Sequence, residues 1–439
     1  MSTEKDPKTT APTMRGTTTL AVHGGAAPDP ATGARITPIY QTASYVFEDT
    51  DHAARLFNLD EFGQIYSRIT NPTVAALEGK MAALDGGVGA TACASGHAAQ
   101  FLAFLPLMEN GDHMVASRHL YGGSITQIGQ SFKRLGWQSS FVDATDPESV
   151  KAAITEHTKL IFTESLSNPG GIVIDIEALT RIAQEARIPL IVDNTLATPY
   201  LCQPFHWGAD MIVHSTTKFL SGHGTSLGGA IVESGHFDWA AHREKFPTMT
   251  EPDPAYHGLT FAETFGDFGF TMKARAVGLR DFGPCMSPTN AFYTITGMET
   301  LHLRMERHVE NARKVAEFLD AHPAVDWVSY AGLPASPYHD LAKKYLPKGA
   351  GSVFTCGLKG GYAAGVKLVE GVNLFSHLAN VGDTRSLILH PASTTHRQLT
   401  DGQRAAAGAG PEVIRLSIGL ETADDLLFDL DQALAKTDG

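Results

Sequence analysis

Short apolar runs and amphipathic segments alternate along the middle of the chain, from about residue 86 to 234. The runs Val88–Ala94, His113–Ser117, Ser139–Asp143, Leu160–Glu164, Leu190–Asn194, Met211–Ser215 and Gly229–Glu233 are predicted strands. Several are continuously apolar, as expected of strands covered on both faces. Between them lie helical patterns. In Ile176–Arg187, Ile176, Leu179, Ala183 and Ala186 share one face, behind Asp175 as N-cap. Such alternation predicts a mostly parallel, doubly wound α/β sheet. Ligands in that architecture sit outside the carboxyl ends of the strands. Ser95, Gly96, Tyr121, Asn168, Asp193 and Lys218 all fall at such ends.

The texture then changes. Residues 235–285 are rich in proline, glycine and aromatics and read as an irregular insertion. Asn290–His322 reads as long helices with Gly297 as a soft point. Strands at Gly351–Gly357, Ser386–His390 and Val413–Gly419 mix with helices, which predicts a smaller C-terminal α+β domain. The last helix opens at Thr422-Ala-Asp-Asp425, a start resembling a capping box. The expected division is residues 1–74 as an N-terminal arm and inter-subunit segment, 75–285 as the α/β domain with its insertion, and 286–439 as the C-terminal domain. Met1–Thr19 is polar, lacks the apolar core of a signal peptide, and reads as a flexible arm.

Composition narrows the class. The chain has 439 residues, 43% hydrophobic and 18% charged, ordinary for a globular enzyme of two or three domains. A formal net charge of −13 argues against a nucleic-acid partner. The four cysteines are widely spaced, which suits a reducing cytoplasm rather than a disulfide framework. No apolar stretch approaches the roughly 18 residues of a membrane span. The 19 histidines show neither HExxH nor a Cys/His zinc spacing, so no metal is expected.

The most informative chemistry is in Asp210-Met-Ile-Val-His-Ser215-Thr-Thr217-Lys218-Phe-Leu-Ser-Gly222-His-Gly224. A lone lysine behind an apolar strand is costly to bury. In a partly dry site its amine has a lowered pKa and forms a Schiff base with an aldehyde. The hydroxyls of Ser215 and Thr217 suit a phosphate. Pyridoxal 5'-phosphate (PLP) offers both an aldehyde and a phosphate. Asp193, ending another apolar strand, suits a pyridinium nitrogen; alone it would read as a turn or cap residue. Ser95-Gly96 before an apolar helix suits a phosphate but is more often a simple cap. Tyr121 can stack on a ring or fill core. Asn168 can be a turn residue. Tyr66 and Arg68 suit a phosphate, and Arg415, amid apolar residues, needs an anion: a ligand carboxylate or a structural acid.

Assembled, these residues resemble the Cys/Met metabolism PLP-dependent family of fold type I, from about Thr18 to the C-terminus. Three runs draw the chain toward the branch that uses O-acetylhomoserine. They are Asn194-Thr-Leu-Ala-Thr-Pro-Tyr-Leu-Cys202, Glu251-Pro-Asp-Pro-Ala-Tyr-His-Gly258, and the segment from Asn380 to His396. The resemblance implies an aspartate aminotransferase-like fold, PLP as cofactor, and γ-replacement of acetate by sulfide or methanethiol to give homocysteine or methionine. It implies Lys218 as Schiff-base and proton-transfer lysine, Asp193 as pyridinium partner, Tyr121 stacked on the ring, and Asn168 at its 3'-oxygen. Gly96, His97, Ser215 and Thr217 would hold the phosphate. Tyr66 and Arg68 would come from a neighbouring subunit of a homotetramer, with Tyr66 also touching substrate. Ser386 and Arg415 would hold the substrate carboxylate. His97 departs from the family, which commonly has Met or Gln there; its backbone N–H still serves. The same residues also suit cystathionine γ-synthase, γ-lyase or an O-succinylhomoserine sulfhydrylase. A catalytically silent binding protein of this fold is disfavoured by the joint presence of Lys218, Asp193, Tyr121, Arg68 and Arg415.

Overall fold

The computed structural model describes residues 16–395, 397 and 408–437. Most of the expected N-terminal arm, and His396, lie outside these residues. Seven strands form the larger sheet: β1 (Gly89–Cys93), β2 (His113–Ser117), β3 (Gln138–Val142), β4 (Thr158–Glu164), β5 (Leu190–Asp193), β6 (Met211–His214) and β7 (Gly229–Glu233). Their order is β1-β7-β6-β5-β4-β2-β3. Only β7 runs against its neighbours; the remaining adjacent pairs are parallel. β7 follows β6 through the single loop 215–228, and a direct return makes an antiparallel pair, whereas the parallel pairs need crossovers. That loop carries Lys218.

The expected strands are all present. β1, β3, β5 and β6 each stop one residue short of the expected end, so Ala94, Asp143, Asn194 and Ser215 fall in the loops that follow. β1, β2 and β7 are buried throughout, while the edge strand β3 is only partly covered. The helix Ile176–Ala186 has the expected cap: Asp175 Oδ1 accepts from Ala178 N at 3.0 Å. It ends at Arg187, which takes the left-handed conformation (φ 58°).

The smaller sheet comprises β8 (Val325–Ser329), β9 (Val353–Leu358), β10 (Ser376–His377), β11 (Leu387–Leu389) and β12 (Val413–Ser417), in the order β10-β11-β12-β9-β8. The sequence pattern omits β8, which mixes polar with apolar residues, and β10, too short to show a period. The long helix Leu301–Ala321 packs against β8 and buries Met305, Ala312, Val315 and Leu319. Residues 235–285, expected to be irregular, contain short helical turns such as Pro247–Thr250, Phe261–Phe265 and Gly269–Lys273. Among the described residues no helix is long and apolar enough to cross a membrane.

Three expectations are corrected. The N-terminal segment is helical from Thr17 to His23. The buried Lys80 Nζ donates to Ala21 O (2.6 Å) and Val22 O (3.2 Å) and so caps that helix from below. Thr422 is an N-cap by backbone conformation, but its side chain makes no capping bond. Gly297 is not a soft point: it sits inside the helix Pro288–Glu299, and the break falls at Thr300. A Cβ on Gly297 would stand 2.2 Å from Ser221 O, so this glycine lets the helix press against the loop after Lys218. Gly297→Ala should therefore cost roughly 1–3 kcal/mol by overpacking. The expected readout is a lowered Tm; an unchanged Tm would mean that the loop yields freely.

Candidate active site

The carboxyl ends of the parallel strands open onto a cavity of about 220 Å³. Its floor carries two carboxyl groups. Glu164 and Asp193 end β4 and β5 as register partners, side by side. Asp193 Oδ1 accepts from Thr195 N (3.0 Å) and Oδ2 from Gln100 Nε2 (3.4 Å). Glu164 accepts from Tyr121 N (2.6 Å) and Asn168 N (2.9 Å). Burial pushes the pKa of both carboxyls up, and for Glu164 the neighbouring Asp193 adds to the rise.

The opposite side is cationic. Lys218 follows the Ser215-Thr216-Thr217 turn after β6, and its Nζ donates to Asn380 Oδ1 at 2.6 Å. Burial, with a smaller contribution from the Arg415 charge, lowers its pKa from 10.5 to about 8. Arg415 projects from β12 of the smaller sheet and donates to Asn168 Oδ1 (3.4 Å) and Asn380 O (3.2 Å). Among the described residues no carboxylate pairs with either cation. Burial lowers the pKa of Arg415 as well.

Between the two sides lies a backbone cradle. The helix Gly96–Phe104 begins at the cavity, with Ser95 Oγ capping Ala98 N (3.1 Å). A Cβ on Gly96 would come within 2.7 Å of Ser215 Cβ, so only glycine lets these two turns approach. Ser215 N donates to Thr195 Oγ1 (2.8 Å), which ties the lysine turn to the Asp193 turn. The Thr217 hydroxyl exchanges bonds with the backbone of Gly228 (3.0 and 3.2 Å), closing the lysine loop on itself. Tyr121 is 48% exposed and edges the cavity beside His97, their ring centroids 5.9 Å apart and inclined by 30°. Burial lowers the His97 pKa, which favours the neutral ring.

The structure thus brings Lys218, Asp193, Tyr121, Asn168, Gly96, His97, Ser215 and Thr217 around one cavity, with Arg415 linked to it through Asn168. Tyr66 and Arg68 are elsewhere: Tyr66 is 44% exposed, the Arg68 guanidinium lies 5.5 Å from the Tyr66 ring centroid, and neither lines this chain's cavity. Ser386 is also displaced from its expected place. It is fully buried; its Oγ donates to Glu421 (2.9 Å) and accepts from Gly419 N (2.8 Å), so the hydroxyl serves the fold of the smaller sheet. The polar group of that segment that faces Lys218 is Asn380, the first residue of the run quoted for the resemblance. Glu164 was passed over, although it ends an apolar strand as Asp193 does. Gln100 is masked by its apolar neighbours on the helix Gly96–Phe104.

A ligand that fills this site needs an electrophile for Lys218, an anion for the Gly96 cradle, and a proton-bearing nitrogen for Asp193. PLP has all three, and the donor set fits it. The sequence profile of the Cys/Met metabolism PLP-dependent enzymes matches residues 18–435. An O-acetyl-L-homoserine sulfhydrylase from Leptospira meyeri is 51% identical, over 95% of this chain and 96% of that protein. A homocysteine synthase from Schizosaccharomyces pombe is 46% identical, over 95% and 97%. The crystal structure of a protein from Campylobacter jejuni, assigned as an O-acetylhomoserine (thiol)-lyase and carrying N'-pyridoxyl-lysine-5'-monophosphate, superposes with a TM-score of 0.93 at 42% identity, covering 95% of this chain and 99% of that one.

The lowered amine pKa gives a test on the cofactor-free protein. An amine is nucleophilic when deprotonated, so Lys218 should react with an amine-directed reagent along a titration centred near pH 8. Exposed lysines should titrate near their usual value of about 10.4. Peptide-resolved labelling from pH 6 to 10 measures this; a Lys218 profile matching the surface lysines would remove the claim of a dry amine.

Proposed function

The chain belongs to the Cys/Met metabolism PLP-dependent enzymes, and from that premise we propose that it converts O-acetylhomoserine and sulfide to homocysteine and acetate. Sulfide can give way to methanethiol, with methionine as product. The observation that carries this reading is the half-buried Lys218 amine, held by Asn380 and with no carboxylate partner among the described residues, between the Glu164–Asp193 floor and Arg415. The choice of ester and nucleophile is supported by relatives named as O-acetylhomoserine sulfhydrylases and homocysteine synthases.

PLP, when bound, supplies an electron sink for the charge that develops at the substrate Cα. The protein's own groups do the rest. Lys218 holds the cofactor through its amine and, once freed by the incoming substrate amine, takes the Cα proton and moves protons at Cβ. A pKa near 8 lets one group act as both acid and base. Asp193 is the partner of the ring nitrogen, and its raised proton affinity is relieved when a cation lies beside it. Tyr121 would cover one face of the ring, and Asn168 would lie on its 3'-oxygen side. The Gly96 and His97 N–H groups, with Ser215 and Thr217, form the phosphate end. Arg415, half-buried and without an acid among the described residues, is matched to the substrate carboxylate, and Asn380 bridges it to Lys218. At Cγ the carbon–oxygen bond breaks, acetate leaves with the electron pair, and the sulfur lone pair forms the new bond.

Tyr66 and Arg68 are assigned to the site of a neighbouring subunit in a homotetramer, and their exposure in the single chain supports this. The fold, free of apolar spanning helices among the described residues, suits a cytoplasmic enzyme.

The assay is direct. Purified protein with PLP, O-acetylhomoserine and sulfide should release homocysteine and acetate in equal amounts, and faster than with O-succinylhomoserine or with cysteine as nucleophile. Acetate without homocysteine would contradict replacement chemistry. Lys218→Ala should abolish turnover; wild-type rates in that variant would sink the assignment. Arg415→Ala should lose about 1.5–3 kcal/mol of carboxylate binding, the scale of a hydrogen bond to a charged group. Steady-state kinetics would show this as a raised KM for the amino acid, and an unchanged KM would take Arg415 out of that role.

A further inference from the structure

Glu164 stands among the cavity-lining side chains without a role in the chemistry just described. It is only 6% exposed, and its two carboxylate oxygens are used separately. One accepts from the backbone N–H of Tyr121 at 2.6 Å; the other accepts from the backbone N–H of Asn168 at 2.9 Å. Those two residues come from different loops, one after β2 and one after β4, and β2 and β4 are adjacent in the sheet. Neither N–H belongs to a regular sheet ladder. Glu164 therefore spans the two loops and fixes their spacing at the cavity. Backbone carbonyls could satisfy both donors at less cost than a buried carboxylate placed beside Asp193. That placement is explained if the two-loop tether is useful there.

We propose that Glu164 is a positioning residue for the cofactor: by holding the backbone of both loops it sets the distance between the Tyr121 ring and the Asn168 side chain. This deepens the reading above and rests on it. The carboxylate geometry matters because an ionised Glu accepts at both oxygens. In Glu164→Gln the amide nitrogen would face one of the two N–H donors, and one loop would be released. Glu164→Asp keeps the charge but is one methylene shorter, so it reaches only one loop.

The test uses the full-length protein stripped of PLP and titrated with it. Affinity is followed by fluorescence, and the visible circular dichroism of the bound cofactor reports how its ring is held. Glu164→Gln should bind PLP about tenfold more weakly, the loss of one charge-assisted hydrogen bond, and its visible dichroic band should shrink. Glu164→Asp should keep part of the affinity through the one loop it still reaches while leaving the dichroism low. If Glu164→Gln does not fold, the aspartate variant alone decides the matter through its dichroic band. Wild-type affinity and dichroism in the variant that folds would overturn the proposal and leave the functional reading intact. A wild-type protein that takes up no PLP would overturn the reading itself.

Discussion

The site depends on desolvation of charge. Lys218 and Arg415 are half-buried with no acid to pair with among the described residues, while Glu164 and Asp193 lie side by side on the facing wall. Each arrangement alone is unfavourable, because a buried charge without a partner costs several kcal/mol and normally neutralises instead. Together they match a ligand that is anionic where the cations are and cationic where the carboxylates are. The lowered amine pKa and the raised carboxyl pKa values are two consequences of the same burial.

The fold produces that burial through one topological detail. Six strands run the same way and deliver their carboxyl ends to one edge, while β7 turns back directly from β6. The returning loop must pass over the edge where the other strands end, and it takes Lys218 with it. Gly96, Gly228 and Gly297 sit where that loop is approached by backbone or side chains within a Cβ's reach. The buried Arg304 holds the carbonyls of Phe219 (2.7 Å) and Leu220 (3.3 Å) and fixes the chain just beyond the lysine. The smaller sheet closes the cavity by sending Arg415 from β12 to Asn168. The reactive amine is thus held by elements from both sheets.

Much of this was legible in the sequence. Continuous apolar runs gave the central strands because buried parallel strands carry no competing polar pattern, and strand ends then named Asp193, Asn168, Tyr121 and Lys218. The α/β class and the PLP-dependent family follow from the same residues. What was missed has a physical reason. Ser386 and Asn380 lie in one quoted run, and nothing in their spacing says which one turns inward; the Glu421 carboxylate decides it by capturing Ser386. Glu164 looked like the polar end of a strand. Its role appears only when β2 and β4 become neighbours and two loops converge on one carboxylate. Gly297 read as a weak point because a helical glycine usually is one; the nearby Ser221 carbonyl shows a packing requirement instead.

The central claim is that the amine of Lys218 is the group that holds the cofactor. Borohydride reduction of the PLP-loaded protein, followed by proteolysis and mass spectrometry, tests it most directly. The account predicts one pyridoxyl-phosphate adduct per chain, on the peptide that contains Lys218. An adduct on another lysine, or none, would contradict it.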